Sequence, residues 1–339
     1  MQKTRLGRTG LLVTRSAFGA LPIQRLARED AALLLRRAYD SGINFFDTAR
    51  VYSDSEAKIA YALGDVRRQI ILATKTMAGT PDAFWSDLDI SLKTLRTDYI
   101  DIYQLHNPSQ APGADDARYE CLLKARQMGK IRHIGVTLHS ISAAWKALHG
   151  ELYDTIQFPL SALSTEEELD FARECGRRDI GVIAMKALSG GLLTSASLSM
   201  AVLRSLTHVV PIWGFQKESE LDEVLSLELS PPELDDAMRT RIACERQGLS
   251  GEFCRGCGYC MPCHKDLRIN WCARLPQALR RMPCEQFFTR EWREEIAKLA
   301  QCDECGTCVT RCPYHLDVPA LIKAAAKDYQ SYGAENGLL

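Results

Sequence analysis

The chain has 339 residues, enough for one large α/β barrel or two ordinary domains, with room for at least one substantial core. Apolar residues make up 46% and charged residues 25%, and 42 basic against 43 acidic side chains leave a formal net charge of -1, so disorder is not expected and neither nucleic acid nor a membrane is expected as a partner. Met1 to Gly10 lack the apolar core of a secretory leader and no run approaches the roughly 20 apolar residues of a membrane span, so the expected location is cytoplasmic.

Short β-rich apolar runs alternate with amphipathic helical patterns along the first two thirds of the chain. Residues 15–19 form the first predicted strand, followed by a helix over 30–39 and strands over 43–46 and 70–74. A helix over 82–95 precedes the strand 100–105, and a helix over 116–128 precedes the strands 131–136 and 155–158. A helix over 166–175, strands over 181–184 and 209–212 and a helix over 218–227 complete the series. Eight strands in this alternation imply a parallel sheet closed into an α/β (β/α)8 TIM barrel rather than an open doubly wound sheet. Ser230, Pro231 and Pro232 then break the last helix, which puts the expected domain junction after Leu229: a barrel over 1–229 and a mainly helical domain over 230–339. Helices are expected near 275–281 and 290–300, and a last one over 319–332 with Pro319 in its first turn.

Thirteen cysteines are many for a reducing compartment, where structural disulfides are rare, and metal ligation explains them better. Cys254, Cys257, Cys260 and Cys263 are each separated by two residues; Cys302, Cys305, Cys308 and Cys312 end in a three-residue gap followed by Pro313. The second run is the bacterial ferredoxin pattern, in which three thiolates wrap one 4Fe-4S cluster and the fourth commonly crosses to another. Two 4Fe-4S clusters are therefore expected, one on Cys254, Cys257, Cys260 and Cys312, the other on Cys302, Cys305, Cys308 and Cys263. A pair of zinc knuckles is the competing reading, although zinc sites favour paired rather than evenly quadrupled cysteines. Cys121, Cys175, Cys244, Cys272 and Cys284 follow no ligand spacing and read as buried thiols; His264 and His315 flank the runs and read as bystanders.

Barrel enzymes carry their chemistry at the C-terminal ends of the strands. Asp47 follows the second strand, with Tyr52 five residues on; Lys75 ends the third and His106 the fourth. Singly they read as a helix cap, a core-edge aromatic, a surface cation and a satisfied histidine. Together they suit carbonyl reduction, in which hydride reaches carbon while an acid protonates oxygen. Tyr52 would be the acid, its pKa brought down from about 10 by the Lys75 ammonium. Asp47 would keep Lys75 charged, and His106 would hydrogen-bond the substrate oxygen.

These four residues, with the stretches "RLGRTGLLVTRSAFGALPI", "NFFDTARVYSDSE", "ILATKT", "LRTDYIDIYQLHNP" and "GKIRHIGVTLHS", resemble the aldo-keto reductase superfamily over residues 3–225. With "CRGCGYCMPC" and "CDECGTCVTRCPYHLDVP", the chain is similar to a branch of that family fused to a 4Fe-4S ferredoxin-type domain. The resemblance implies NAD(H)- or NADP(H)-dependent reduction of a small-molecule aldehyde or ketone, or oxidation of an alcohol. It also implies where the cofactor binds. The family's Ser-Asn pair and Gln around the nicotinamide amide fall on Thr137, Leu138 and Gln157, and its stacking aromatic on Met185, beside Lys186. Its Lys, Arg and Asn for the 2'-phosphate and adenine fall on Gly214, Glu220 and Val224, leaving Lys217 or Lys186 as the cations and favouring NADH over NADPH. Phosphates are expected near Gly190, Gly191 and Gly214. Ile23, Trp85, Asn107, the loop 108–113 and Trp213 are expected around the pocket mouth.

Two further functions compete. An electron-transfer protein would pass single electrons between the clusters and a barrel-bound substrate or a redox protein, but hydride moves two electrons and no flavin motif is evident to convert between them. A barrel that binds ligand without turnover is the third reading, and the complete tetrad opposes it.

Overall fold

A computed structural model describes residues 1–339 except 109, 249–252, 255, 257, 259, 282–283 and 313–315, with backbone alone for 248 and 281. By their internal contacts these residues form two compact units, Met1–Ala187 with Ala196–Met238, and Leu188–Ser195 with Arg239–Leu339.

The first unit opens with an antiparallel hairpin, β1 (Lys3–Arg5) on β2 (Leu12–Thr14). Eight parallel strands then close into a barrel in chain order: β3 (Ala17–Gly19), β4 (Phe45–Asp47), β5 (Ile71–Thr76), β6 (Ile100–His106), β7 (Ile131–Thr137), β8 (Thr155–Pro159), β9 (Gly181–Met185) and β10 (Val209–Gly214). β10 shuts the ring on β3, pairing Ile212 with Ala17 and Gly214 with Gly19. Around it lie α1 (Arg28–Asp40), α2 (Ser55–Leu63), α3 (Pro81–Leu95), α4 (Ala117–Gln127), α5 (Ile141–Gly150), α6 (Glu166–Arg177), α7 (Ala196–Arg204) and α8 (Glu218–Leu229).

The strands form because their residues are largely branched or aromatic and buried; Phe45, Ala73, Ile102, Ile183, Val210 and Ile212 pack within one buried cluster. Several helices start where a side chain accepts the first free N–H groups: Thr80 from Ala83 before Pro81 opens α3, Asp116 from Arg118 at α4, and Thr165 with Glu168 as a reciprocal cap on α6. These caps bound the loops that follow the strands. The polar residues at the strand ends are thereby held on one rim.

All eight strands expected from the alternation are barrel strands. The short hairpin escaped the pattern because three-residue strands such as Lys3–Arg5 carry no apolar periodicity. The unit boundary differs from the expected junction after Leu229. Pro231 and Pro232 do follow the end of α8, but a helix end is not a domain end: Met238, in α9 (Asp236–Gly248), is buried and groups with the barrel.

In the second unit, α9 is followed by α10 (Ile269–Cys272), α11 (Leu275–Arg281), α12 (Arg290–Lys298), α13 (Thr307–Thr310) and α14 (Val318–Glu335). Leu267, Leu275, Phe287, Leu299, Ile322 and Tyr329 belong to its core. Phe288 stacks on Tyr329 at 4.5 Å, and the Tyr329 hydroxyl donates to the Phe287 carbonyl at 2.9 Å, so the ring is buried with its polar tip satisfied. Among the described residues no helix is long and apolar enough to cross a membrane.

One glycine of the barrel is demanded by its neighbours. A Cβ on Gly135 would stand 2.5 Å from Thr155 Oγ1 and 2.9 Å from Gln104 Cγ. Gly135→Ala is expected to lower the stability of the barrel by roughly 1–3 kcal/mol through overpacking, read by denaturant unfolding; an unchanged midpoint would contradict this packing.

Candidate active site and metal-binding cavity

Parallel register brings the polar strand ends together: Asp47 pairs with Ala73, Lys75 with Gln104, His106 with Thr137 and Thr137 with Gln157. Lys75 and Asp47 are 0% and 2% exposed, and Lys75 Nζ donates to Asp47 Oδ2 at 2.6 Å and to the Thr48 carbonyl at 2.7 Å. Gln104 Nε2 donates to Asp47 Oδ1 at 3.3 Å. Removing two charges from water costs several kcal/mol for each, which only a close, hydrogen-bonded pair offsets. Burial pushes the Asp47 carboxyl up and the Lys75 ammonium down, and each charge opposes the other's shift.

Tyr52 lies on the loop between β4 and α2, and that loop is pinned throughout. Ser55 donates its backbone N–H to the Tyr52 carbonyl at 2.8 Å, and its hydroxyl bonds the Ala20 carbonyl at 3.0 Å and Thr48 Oγ1 at 2.9 Å. Lys58, buried in α2, donates to the carbonyls of Ile23 and Leu26 at 3.0 and 2.8 Å, and Glu56 accepts from Thr74 and Ser91 at 2.8 Å each. The Tyr52 ring thus sits 5.5 Å from Lys75 Nζ, with the His106 ring edge-on at 5.7 Å. The expected tetrad is one constellation.

Its electrostatics differ from the expectation. Burial and then the Asp47 charge push the Tyr52 phenol above its ordinary pKa instead of below it. The lowering expected from Lys75 is outweighed because Lys75 is already committed to Asp47 and the surrounding protein leaves the ring only partly exposed. Burial, with the Lys75 charge behind it, pulls His106 down to about 3, so its imidazole is neutral. His106 Nδ1 is buried with no hydrogen-bond partner among the described residues.

Two residues near this set, Gln104 and His139, were missed from the sequence. Gln104 joins Asp47 to the expected nicotinamide contacts: its Nε2 donates to Gln157 Oε1 at 2.9 Å, and its Oε1 accepts from Thr137 Oγ1 at 3.1 Å. Strand alternation could have found it, since Gln104 lies two residues before His106 on the same inward face. His139 Nδ1 and Asn107 Oδ1 are 2.9 Å apart, and His139 feels the charges of Lys186 and His106 beneath the larger effect of burial, which lowers it. No spacing signalled this pair.

Of the other expected contacts, Thr137 and Gln157 are buried, Met185 packs in the same core cluster as Ile183 and Val210, and Lys186 follows with a left-handed backbone at φ 56. Gly214 is exposed at the end of β10, and Lys217 is exposed just before α8. Glu220 Oε2 accepts from the backbone N–H groups of Gln216 and Lys217 at 2.6 and 3.1 Å, occupying donors at this helix start. Ile23 and Trp213 do not line an open mouth: both are buried, and Trp213 Nε1 donates to Ser16 Oγ at 2.9 Å.

In the second unit, Cys263, Cys302, Cys305 and Cys308 line one cavity of about 310 Å³, to which Cys260 also contributes. Soft sulfur donors converging on one cavity suit an iron-sulfur cluster. Cys254 Sγ accepts from the Gly256 N–H at 3.3 Å, and Cys254 and Cys312 are half-buried against the same apolar core. Cys257 and His315 lie outside the described residues. His264 is more than a neighbour in sequence: Nε2 is 2.8 Å from Asp303 Oδ2 and Nδ1 is 3.7 Å from Cys305 Sγ. Of the remaining cysteines, Cys121, Cys175 and Cys272 are buried as expected, whereas Cys244 is exposed and Cys284 half-buried.

A closed parallel barrel with Asp, Tyr, Lys and His gathered at its strand ends defines a class of carbonyl-handling oxidoreductases. The sequence profile of the Aldo/keto reductase family matches residues 16–231, and the chain belongs to that family. The profile of a 4Fe-4S dicluster domain matches residues 253–317. The chain is 33% identical over 241 residues to the 6-dehydroglucose reductase of Novosphingobium aromaticivorans, covering 62% of this chain and 78% of that protein. It is 31% identical over 211 residues to the L-galactose dehydrogenase of Arabidopsis thaliana, covering 56% and 66%. Among solved structures, the holo form of aldo-keto reductase AKR11C1 from Bacillus halodurans superposes with a TM-score of 0.63 at 21% identity, covering 72% of this chain and 96% of that one. An aldo-keto reductase from Klebsiella pneumoniae in complex with NADPH gives 0.60 at 22%, covering 71% and 93%.

The ion pair makes a stability prediction. Lys75→Met strands the Asp47 carboxylate and is expected to cost about 3–5 kcal/mol in denaturant unfolding, with the Asp47→Asn, Lys75→Met double variant losing less. Equal losses in both would deny the coupling.

Proposed function

We propose that the barrel reduces a small-molecule aldehyde or ketone with a nicotinamide cofactor, Tyr52 supplying the proton, and runs in reverse on the alcohol. The observation that carries this reading is the packing of Tyr52 against both Lys75 and His106 at the strand ends. A bound reduced nicotinamide supplies hydride to the carbonyl carbon. Tyr52 gives its O–H proton to the carbonyl oxygen, so the two additions together yield the alcohol and leave a phenolate. Lys75 lies close enough to stabilise that phenolate as it forms, and Asp47 fixes Lys75 in place. His106, neutral, offers an imidazole N–H to the substrate oxygen, and its unpartnered Nδ1 leaves Nε2 as the nitrogen for that bond. The raised Tyr52 pKa suits an acid: the phenol holds its proton until the oxygen demands it.

Thr137 and Gln157 retain free lone pairs on their oxygens for the nicotinamide amide, with Met185 and Lys186 beside them and Gly214 and Lys217 nearer the adenosine end. Glu220 supports NADH over NADPH, since its carboxylate takes up amides that a 2'-phosphate would use and adds a like charge there. In the second unit, the cavity lined by Cys302, Cys305 and Cys308 with Cys263 and Cys260 supports a 4Fe-4S site there; with Cys263 as its fourth ligand, Cys254, Cys257, Cys260 and Cys312 are left for the other.

Tyr52→Phe is expected to lower kcat/KM for carbonyl reduction by at least about 100-fold while NADH still binds by fluorescence titration; an unchanged rate would remove Tyr52 from the reaction. Because the phenol is raised and His106 titrates only at about 3, kcat/KM for reduction is expected to stay level from about pH 6 to about pH 9 and to fall only as Tyr52 ionises, whereas alcohol oxidation, which needs the phenolate, rises with pH. Glu220→Ala is expected to raise the NADPH to NADH preference by about tenfold, and an unchanged ratio in steady-state kinetics would clear Glu220 of any part in cofactor choice.

A further inference from the structure

Arg274, between α10 and α11, is only 8% exposed, and no carboxylate among the described residues forms an ion pair with it. Among the described residues its Nε is buried without a hydrogen-bond partner, and its Nη2 reaches the carbonyls of Ser189 and Gly190, at 3.4 and 3.3 Å. A guanidinium does not shed its charge as a buried lysine does, and burying one costs several kcal/mol unless a negative group faces it. In the second unit that negative group is identifiable. A Cβ on Gly256 would lie 2.6 Å from Arg274 Nη1 and one on Gly190 would lie 3.1 Å from Nη2, so the guanidinium is wedged between two glycines, one of them in the Cys254 turn.

We propose that Arg274 is the fixed counter-charge of the 4Fe-4S cluster held by the Cys254 segment, and that it raises the reduction potential of that cluster. The proposal rests on the two-cluster reading above. A cluster held by thiolates is an anion, and accepting one electron adds one further negative charge. A fixed cation in a poorly solvated site stabilises the reduced form more than the oxidised form, which moves the potential upward. The same charge helps the apo segment accept its cluster, because the buried guanidinium then gains the partner it lacks. Arg274 acts here as a positioning and tuning residue.

The test is an anaerobic redox titration of the full-length, cluster-loaded protein followed by electron paramagnetic resonance, with iron content measured first. Wild-type protein is expected to show two one-electron reductions. Arg274→Met should shift one of them downward by at least about tenfold in its equilibrium constant, about 59 mV for one electron, and leave the other in place. Arg274→Lys should keep that step close to wild type. If Arg274→Met loses one cluster, Arg274→Lys must restore it at nearly the wild-type potential. Neither step moving, both moving alike, or loss of the cluster in the Lys variant as well would overturn the proposal. Unchanged potentials with weaker nicotinamide binding would give Arg274 to a dinucleotide phosphate instead and overturn it too. Wild-type protein without any cubane signal would overturn the two-cluster reading itself, and this proposal with it.

Discussion

Lys75 and Asp47 face each other where water does not reach, so the barrel has to supply what water would have supplied. That requirement organises the first unit. The pair holds only because β4, β5 and β6 pair in register, because Gln104 and the Thr48 carbonyl take up the remaining hydrogen-bonding capacity, and because Gly135 leaves the space in which Gln104 lies. In return the pair fixes an ammonium beside the Tyr52 ring. A loosened barrel would cost both stability and chemistry, since a single arrangement serves each.

The cost of so buried a site is visible in its titration. Burial dominates every group in it, raising Asp47 and Tyr52 and lowering Lys75 and His106. In the proposed reaction, an acid that keeps its proton and an imidazole that stays neutral are the forms a carbonyl oxygen needs, and the ammonium would stabilise the phenolate as it forms.

The barrel was legible because its strands are apolar and end at turn-forming residues, and the tetrad because Asp47, Lys75 and His106 each close a run of that kind. The two cysteine runs stood out by spacing alone, and Cys260, Cys263, Cys302, Cys305 and Cys308 line one cavity. What escaped shares a physical cause: it depends on contacts between distant strands or segments. Gln104 looks like a polar residue inside a strand until Asp47, Thr137 and Gln157 are seen around it, and the His139–Asn107 contact joins residues 32 apart in sequence. Arg274 carries no motif, and its meaning lies in the two glycines that flank it. The sign of the Tyr52 shift was misjudged for a related reason: sequence supplies the charges but not the burial that outweighs them. Trp213 was assigned to the pocket mouth from its place after the predicted strand 209–212, and its bond to Ser16 instead turns it into the wall.

Belonging to the aldo/keto reductase family while carrying a dicluster domain leaves the chain two ways to move electrons, as hydride or singly. The role proposed for Tyr52, Lys75 and His106 belongs to the first. The most direct test is a single turnover with reduced nicotinamide deuterated at both C4 positions and an aldehyde substrate, with the alcohol product analysed by mass spectrometry. One deuterium is expected on the carbinol carbon of each product molecule, with cluster signals that stay constant during the turnover. Product free of deuterium, formed while the clusters change redox state, would contradict it.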